Sequence, residues 1–188
     1  MDMPLACRGE FEFSATDHFK SVFLCPVADN VRWKLEHGWD DYNELHHCCR
    51  LIHEFQSRPG LVMDFHTMTR GKEHLGIGIV SHGSVDREMY ASSGIHFSEA
   101  REAILLFNYF HISPEGRGNG EFWLKDVILP WYAAQGFAAM YLKSSHPKAF
   151  PLYERLGAAI GSYASKSDNG LFERPGKIFR IPIPVRNS

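Results

Sequence analysis

An apolar, aromatic run covers residues 104–112 of this chain. Ile104, Leu105, Leu106 and Phe107 are followed by Tyr109, Phe110 and Ile112. Aromatic and branched residues suit a strand, and a run apolar on both faces suits a buried one. Ser113-Pro114-Glu115-Gly116 ends it, because proline cannot continue a central ladder. After Arg117-Gly118-Asn119-Gly120 the period changes at once. Phe122, Trp123, Leu124, Val127, Ile128 and Trp131 recur at helical spacing. This helix is predicted to reach about Gln135, with Pro130 kinking or dividing it.

Upstream, residues 10–13 and 21–24 read as two short strands. Asp29 is positioned to cap a helix over 30–37 that Gly38 ends. Asp40 or Asp41 is positioned to cap a second helix to about Gln56. Its core stripe is Tyr42, Leu45, Cys48, Cys49, Ile52 and Phe55. Residues 61–66 and 75–80 read as a hairpin around the turn 69–72. Gly76 and Gly78 share one face of it, where a packed helix or a ligand comes close. Residues 81–101 are polar and carry Ser84, Asp86, Glu88, Ser92, Ser93, His96 and Glu99. A connection of that length, just before the buried strand, is a candidate to flank a site.

Downstream, residues 137–142 read as a strand and 148–156 as a short helix, with Pro147 and Pro151 confined to its first turn and Gly157 as its stop. Residues 158–163 and 178–185 are the expected last strands, joined by a polar loop. Pro182 and Pro184 predict an edge position for the final strand.

Composition changes this picture little. The chain has 188 residues, 44% of them hydrophobic and 22% charged, with net charge -2. These values fit one folded domain over 1–188, without the charge imbalance that suits nucleic acid. No run is long enough for a membrane helix, and residues 1–13 lack the pattern of a secretory signal. Cys7, Cys25, Cys48 and Cys49 form no C-x-x-C pair, so a reducing, cytoplasmic setting is expected. His46, Cys49 and His53 fall near one helix edge. No fourth ligand is spaced to join them, and no metal site is assigned.

The order strand, glycine turn, helix is itself a device. Glycines let backbone approach a ligand, and free N–H groups at the helix start face an anion such as pyrophosphate. Arg117 adds a permanently charged fork. The turn is neither a P-loop nor a dinucleotide fingerprint, since no Lys-Ser or Lys-Thr follows it and its glycine spacing is wrong. It resembles the acyl-coenzyme A loop of the GCN5-related N-acetyltransferases (GNAT), which carries Arg/Gln-x-x-Gly-x-Gly/Ala after a strand. Pro114, Glu115, Arg117, Gly118 and Gly120 match, while Phe122 stands where that family has a small residue. A second stretch, 146–158, is similar to the family's next signature. Ala149, the run Leu152-Tyr153-Glu154 and the pair Leu156-Gly157 match. Arg155 replaces lysine, and His146 replaces asparagine. The likeness is strong over 102–163.

The resemblance implies an α/β fold: a mixed, mostly antiparallel sheet with flanking helices and two splayed parallel strands at the cofactor site. It implies acyl transfer from acetyl-CoA, or another acyl-CoA, to an amine on a small molecule or a protein. Backbone at Phe110, His111 and Ile112 is expected to pair with the pantetheine arm. The amides of Arg117, Gly118, Asn119, Gly120, Glu121 and Phe122 are expected to hold the pyrophosphate. Tyr153 would lie near the thioester sulfur as the acid for the departing thiolate, with His146 touching cofactor or acceptor.

The chemistry also needs a neutral amine, hence a base or water chain, and a donor for the oxygen of the tetrahedral intermediate. His111 is the first candidate base, on the key strand with a suitable intrinsic pKa. Asp64, His66, Glu99 and Glu102 are alternatives. No cysteine lies in either motif, so direct attack within a ternary complex is expected. The other reading is a binding protein on the same fold, with or without coenzyme A, suggested by Phe122 and His146. A homodimer through the final strand is also open.

Overall fold

The computed structural model describes residues 2–85, 90 and 93–184. Its strands are β1 (Met3–Arg8), β2 (Phe11–Thr16), β3 (Leu61–Arg70), β4 (Glu73–Gly83), β5 (Ile104–Ile112), β6 (Ala139–Ser144), β7 (Ala158–Lys166) and β8 (Glu173–Pro182). They form one sheet in the order β1-β2-β3-β4-β5-β6-β8-β7. All neighbours are antiparallel except β5 and β6, which are parallel. This is the mixed, mostly antiparallel sheet expected from the sequence.

Helices α1 (Cys25–His37) and α2 (Glu44–Gln56) cover one face of the sheet. Phe23, Val27, Cys48, Ile52 and Phe55 pack there on Phe65, Ile77 and Ile79. The other face carries α3 and α4 (Phe150–Leu156). Helix α3 runs as three consecutive pieces, Gly120–Phe122, Trp123–Ile128 and Leu129–Ala133, the middle one π-helical. The wider turns come just before Pro130, which has no N–H to give and whose ring crowds the preceding carbonyl. Trp123, Leu124, Val127 and Ile128 are buried against Met68, Leu105, Phe107 and Phe179. Each large apolar side chain removed from water contributes about 1.5–3 kcal/mol, so these two layers hold the sheet. The Gly76 question resolves as packing. A Cβ there would stand 2.8 Å from Trp123 Cζ3, so the missing side chain is what seats α3.

Several boundaries differ from the sequence reading. Residues 21–24 are a 3-10 turn, which lets the neighbouring Phe23 and Leu24 both be buried. Helix α1 starts at Cys25 with Pro26 in its first turn, and Asp29 pairs with Arg32 at 2.8 Å instead of capping. The cap of α2 is Asn43, whose side chain accepts from the His46 N–H at 3.0 Å, not Asp40 or Asp41. Strand β1 was not expected. The last strand is not at the edge: β8 lies between β6 and β7. Pro182 is tolerated because it is the final residue of β8, where the ladder ends. Within 81–101, Asp86, Glu88 and Ser92 lie outside the described residues. Val85, Tyr90 and Ile95 pack on Leu106, Tyr141 and Ile178 as a third apolar cluster.

Candidate active site

Strands β5 and β6 are paired only from Ile104 with Ala139 to Phe107 with Leu142. Beyond that point they part. The register of β5 against β4 also shifts there: Val80 faces Phe107 and Ile79 faces Tyr109, leaving Asn108 as a bulge. The Asn108 side chain fills the irregularity by donating to Ser81 Oγ at 2.8 Å and to the Leu106 carbonyl at 3.1 Å. The extra residue resets the alternation of side chains. Leu105 and Phe107, then Phe110 and Ile112, face α3. Tyr109 joins the core beneath α1 and α2.

The parted strands enclose a cleft of about 680 Å³, with residues 107–112 on one wall and 142–146 on the other. On its α4 side stand Ala149 and Tyr153. Arg117 lies at the end where β5 leads into the glycine turn. That turn is a 3-10 bend, Pro114–Gly116, followed by Gly118 at φ 89°, a conformation that favours glycine. Asn119 is buried, and its amide donates to the Gly116 carbonyl at 3.0 Å. The first residues of α3 follow directly, with the N–H groups of a helix start. Phe122 points away from this seat. Its ring lies 5.4 Å from that of Phe13, with the Arg8 guanidinium 4.9 Å from its centroid, so it does not narrow the turn.

The sequence matches no protein-family model and no curated protein. Solved structures do match. The phosphinothricin acetyltransferase of Sinorhizobium meliloti, determined with AcCoA, is 16% identical at TM-score 0.55, over 91% of this chain and 88% of that one. The ribosomal-protein-S18-alanine N-acetyltransferase of Escherichia coli is 13% identical at TM-score 0.55, over 94% and 98%. The spermidine N-acetyltransferase of Vibrio cholerae, with CoA and spermine, is 16% identical at TM-score 0.55, over 94% and 97%. This chain has the GNAT fold.

On this GNAT fold Tyr153 is 6% exposed, at the cleft wall, with its ring 5.3 Å from Phe179. Burial raises its pKa well above the ordinary phenol value, so it holds its proton at neutral pH. His111 lines the same cleft. Burial draws its pKa down to about 4, against a hydrogen bond from its ring to the Pro26 carbonyl and alongside repulsion from His146. The His111 Nε2 is buried without a hydrogen-bond partner. His146 also lines the cleft, and burial lowers its pKa too.

Of the other candidate bases, the structure takes Asp64 and His66 elsewhere. Both point to the α3 face, where Tyr132 donates to Asp64 Oδ2 at 2.8 Å and His66 Nε2 lies 3.0 Å from the Tyr132 hydroxyl. The period-2 alternation of β3 imposes this, because Met63 and Phe65 hold the opposite face. Glu99 accepts from the Tyr141 hydroxyl at 2.6 Å and from Arg180 Nε at 2.8 Å, a structural clamp. Glu102 is exposed and does not line the cleft. Among the described residues no group of three or more His, Cys, Asp or Glu side chains could hold a metal, His46, Cys49 and His53 included. No cysteine is among the described residues that line the cleft.

Sequence reasoning missed the residues over the α1–α2 side of the cleft. Lys34, Asp40, Tyr42 and Arg174 line it there. Lys34 is buried, donating to the Tyr42 carbonyl at 2.8 Å and to Glu44 at 2.9 Å, and it pairs with Asp40. Arg174 pairs with the same Asp40 at 2.8 Å. Cations and carboxylates here neutralise one another. A lysine at position 34 in a helix gives no sequence signal of burial, since lysine is rarely buried unless paired.

Proposed function

We propose that this protein is an acyl-CoA-dependent N-acyltransferase that passes an acetyl group from acetyl-CoA to an amine by direct attack in a ternary complex. The observation that carries the reading is the parting of β5 from β6 after Phe107, with the freed edge of β5 leading straight to the glycine turn. Backbone at Phe110, His111 and Ile112 has one side paired with β4, leaving the other side to take an extended amide-bearing arm as a strand would. The turn from Arg117 to Phe122 suits a pyrophosphate, through N–H groups at a helix start and the Arg117 guanidinium.

Tyr153, neutral and facing the cleft, is assigned as the acid that protonates the departing thiolate. His111 is assigned as the base. Its unpartnered Nε2 is assigned to take the proton of the amine nitrogen once the C–N bond begins to form, when that nitrogen is far more acidic than a free ammonium. A low pKa keeps the imidazole unprotonated and ready across the neutral range. An N–H on the freed edge of β5 is suited to receive the developing oxyanion. His146 borders the cleft beyond β6 and is assigned to contact with coenzyme A or the acceptor. No cysteine is among the described residues that line the cleft, which suits direct transfer. The test is coenzyme A release from acetyl-CoA in the presence of a panel of primary amines, with the acetylated product identified by mass. Amine-dependent release that His111→Ala and Tyr153→Phe both lower is expected. No acetylated product from any amine would count against the reading.

A further inference from the structure

A cation from the far edge of the sheet stands beside the glycine turn. Arg8 is the last residue of β1 and faces Phe11, which faces Arg70, which faces Glu73. This row lies at the end of the sheet where the Ser113 N–H donates to the Leu75 carbonyl at 2.8 Å and β5 passes into the turn. Arg8 Nη1 donates to Asn119 Oδ1 at 3.4 Å, and Asn119 in turn donates to the Gly116 carbonyl at 3.0 Å. The Arg8 guanidinium also lies 4.9 Å from the centroid of the Phe122 ring. These contacts orient the charge without neutralising it. Arg8 is exposed, and among the described residues it makes no ion pair: Glu10 pairs with Arg70 at 3.5 Å and Glu121 with Arg155 at 2.8 Å.

Phe122 is what this chain carries where the GNAT loop has a small residue. Its ring is packed on Phe13 at 5.4 Å, which gives the guanidinium a fixed aromatic surface, and a cation is attracted to such a surface by the ring quadrupole. A small side chain at 122 offers no such support. The departure from the family's pattern therefore has a use: it seats an arginine from β1 beside the turn. Coenzyme A bears a phosphate monoester on its ribose in addition to the pyrophosphate assigned to the turn and to Arg117. A guanidinium suits that group, because its planar fork can meet two phosphate oxygens at once. On the other side of the turn, before α4, Lys148 offers a single ammonium, and the guanidinium of Arg155 is already taken by Glu121.

We propose that Arg8, held by Asn119 and Phe122, binds the ribose 3′-phosphate of coenzyme A, so that β1 makes the protein selective for coenzyme A over acyl carriers that lack this phosphate. The proposal rests on the acyltransferase reading.

The test titrates coenzyme A and dephospho-coenzyme A, which lacks only the 3′-phosphate, into the wild type, Arg8→Gln and Lys148→Gln at one ionic strength. The wild type is expected to bind coenzyme A about fivefold or more tighter than dephospho-coenzyme A. Arg8→Gln is expected to lose most of that preference while binding dephospho-coenzyme A as the wild type does, and Lys148→Gln to keep the preference. Equal binding of the two ligands by the wild type overturns the proposal and leaves the acyltransferase reading intact. So does a preference that Arg8→Gln leaves unmoved, an equal loss of both ligands in that variant, or a preference that disappears in Lys148→Gln instead. If neither ligand binds the wild type, the acyltransferase reading falls, and this one with it. Should Arg8→Gln fail to fold, Phe122→Leu decides with the same two ligands: a narrowed preference supports the proposal, and an unchanged one overturns it.

Discussion

Phe107 faces Leu142, and it is the last residue of β5 to pair with β6. Five further residues of β5 continue with one edge released, because the bulge at Asn108 keeps them on β4 while β6 turns away. The proposed chemistry is arranged around that edge, with Tyr153 beyond one wall and His111 on the other.

Tyr153→Phe removes the hydroxyl and leaves the ring against Phe179. The acid assignment predicts a fall in kcat of about 100-fold, with acetyl-CoA affinity unchanged. Steady-state kinetics beside a binding titration separates the two quantities. An unchanged kcat would leave Tyr153 as a packing residue.

His66 is fully buried, and burial draws its pKa down to about 4 against the attraction of Asp64. The unfolded chain binds a proton at this side chain near pH 6.5, and the folded chain does so only near 4. Stability from this group is therefore complete above about pH 6.5 and is lost as pH falls toward 4, on the order of 3 kcal/mol in all. His111, with its pKa also near 4, acts in the same direction. Urea midpoints at pH 7 and pH 5 check this. His66→Gln keeps a donor for Tyr132 and should lose less stability over that interval than the wild type.

Gly76→Val tests the seat of α3. A Cβ there would stand 2.8 Å from Trp123 Cζ3 and 3.1 Å from the His111 carbonyl. Overpacking of this kind costs about 1–3 kcal/mol, so the melting temperature should drop by several degrees. A melting temperature equal to that of the wild type would show that α3 can shift freely.

The part of the fold nearest the site was legible in the sequence because its signals are local and doubled. The apolar run before Ser113-Pro114, the glycine turn and the stretch around Leu152-Tyr153-Glu154 each set an element and its ends. What stayed hidden depends on partners distant in the chain. Strand β1 is mostly exposed and contains Pro4, so it has no alternation to read. Residues 21–24 are too short for one period to win over another. Pro182 suggested an edge because its ladder neighbours are not visible in sequence, yet β8 is covered by β7. Of the cleft lining, the positions of Tyr153 and His111 were readable from motif and strand position. Lys34, Tyr42 and Arg174 were not, because only Asp40, Glu44 and the loop contacts bring them to the cleft.

The most direct test of the central claim is a calorimetric titration of acetyl-CoA into the wild type and into Gly120→Glu. A Cβ at Gly120 meets Ile112 and Phe110 at 3.4 and 3.6 Å, ordinary contacts, so the variant is expected to fold. Its carboxylate would set a negative charge at the helix start that is assigned to the pyrophosphate. The account predicts saturable binding to the wild type, weakened at least about tenfold in the variant, or ~1.4 kcal/mol. No binding to the wild type, or equal binding to both proteins, would contradict it.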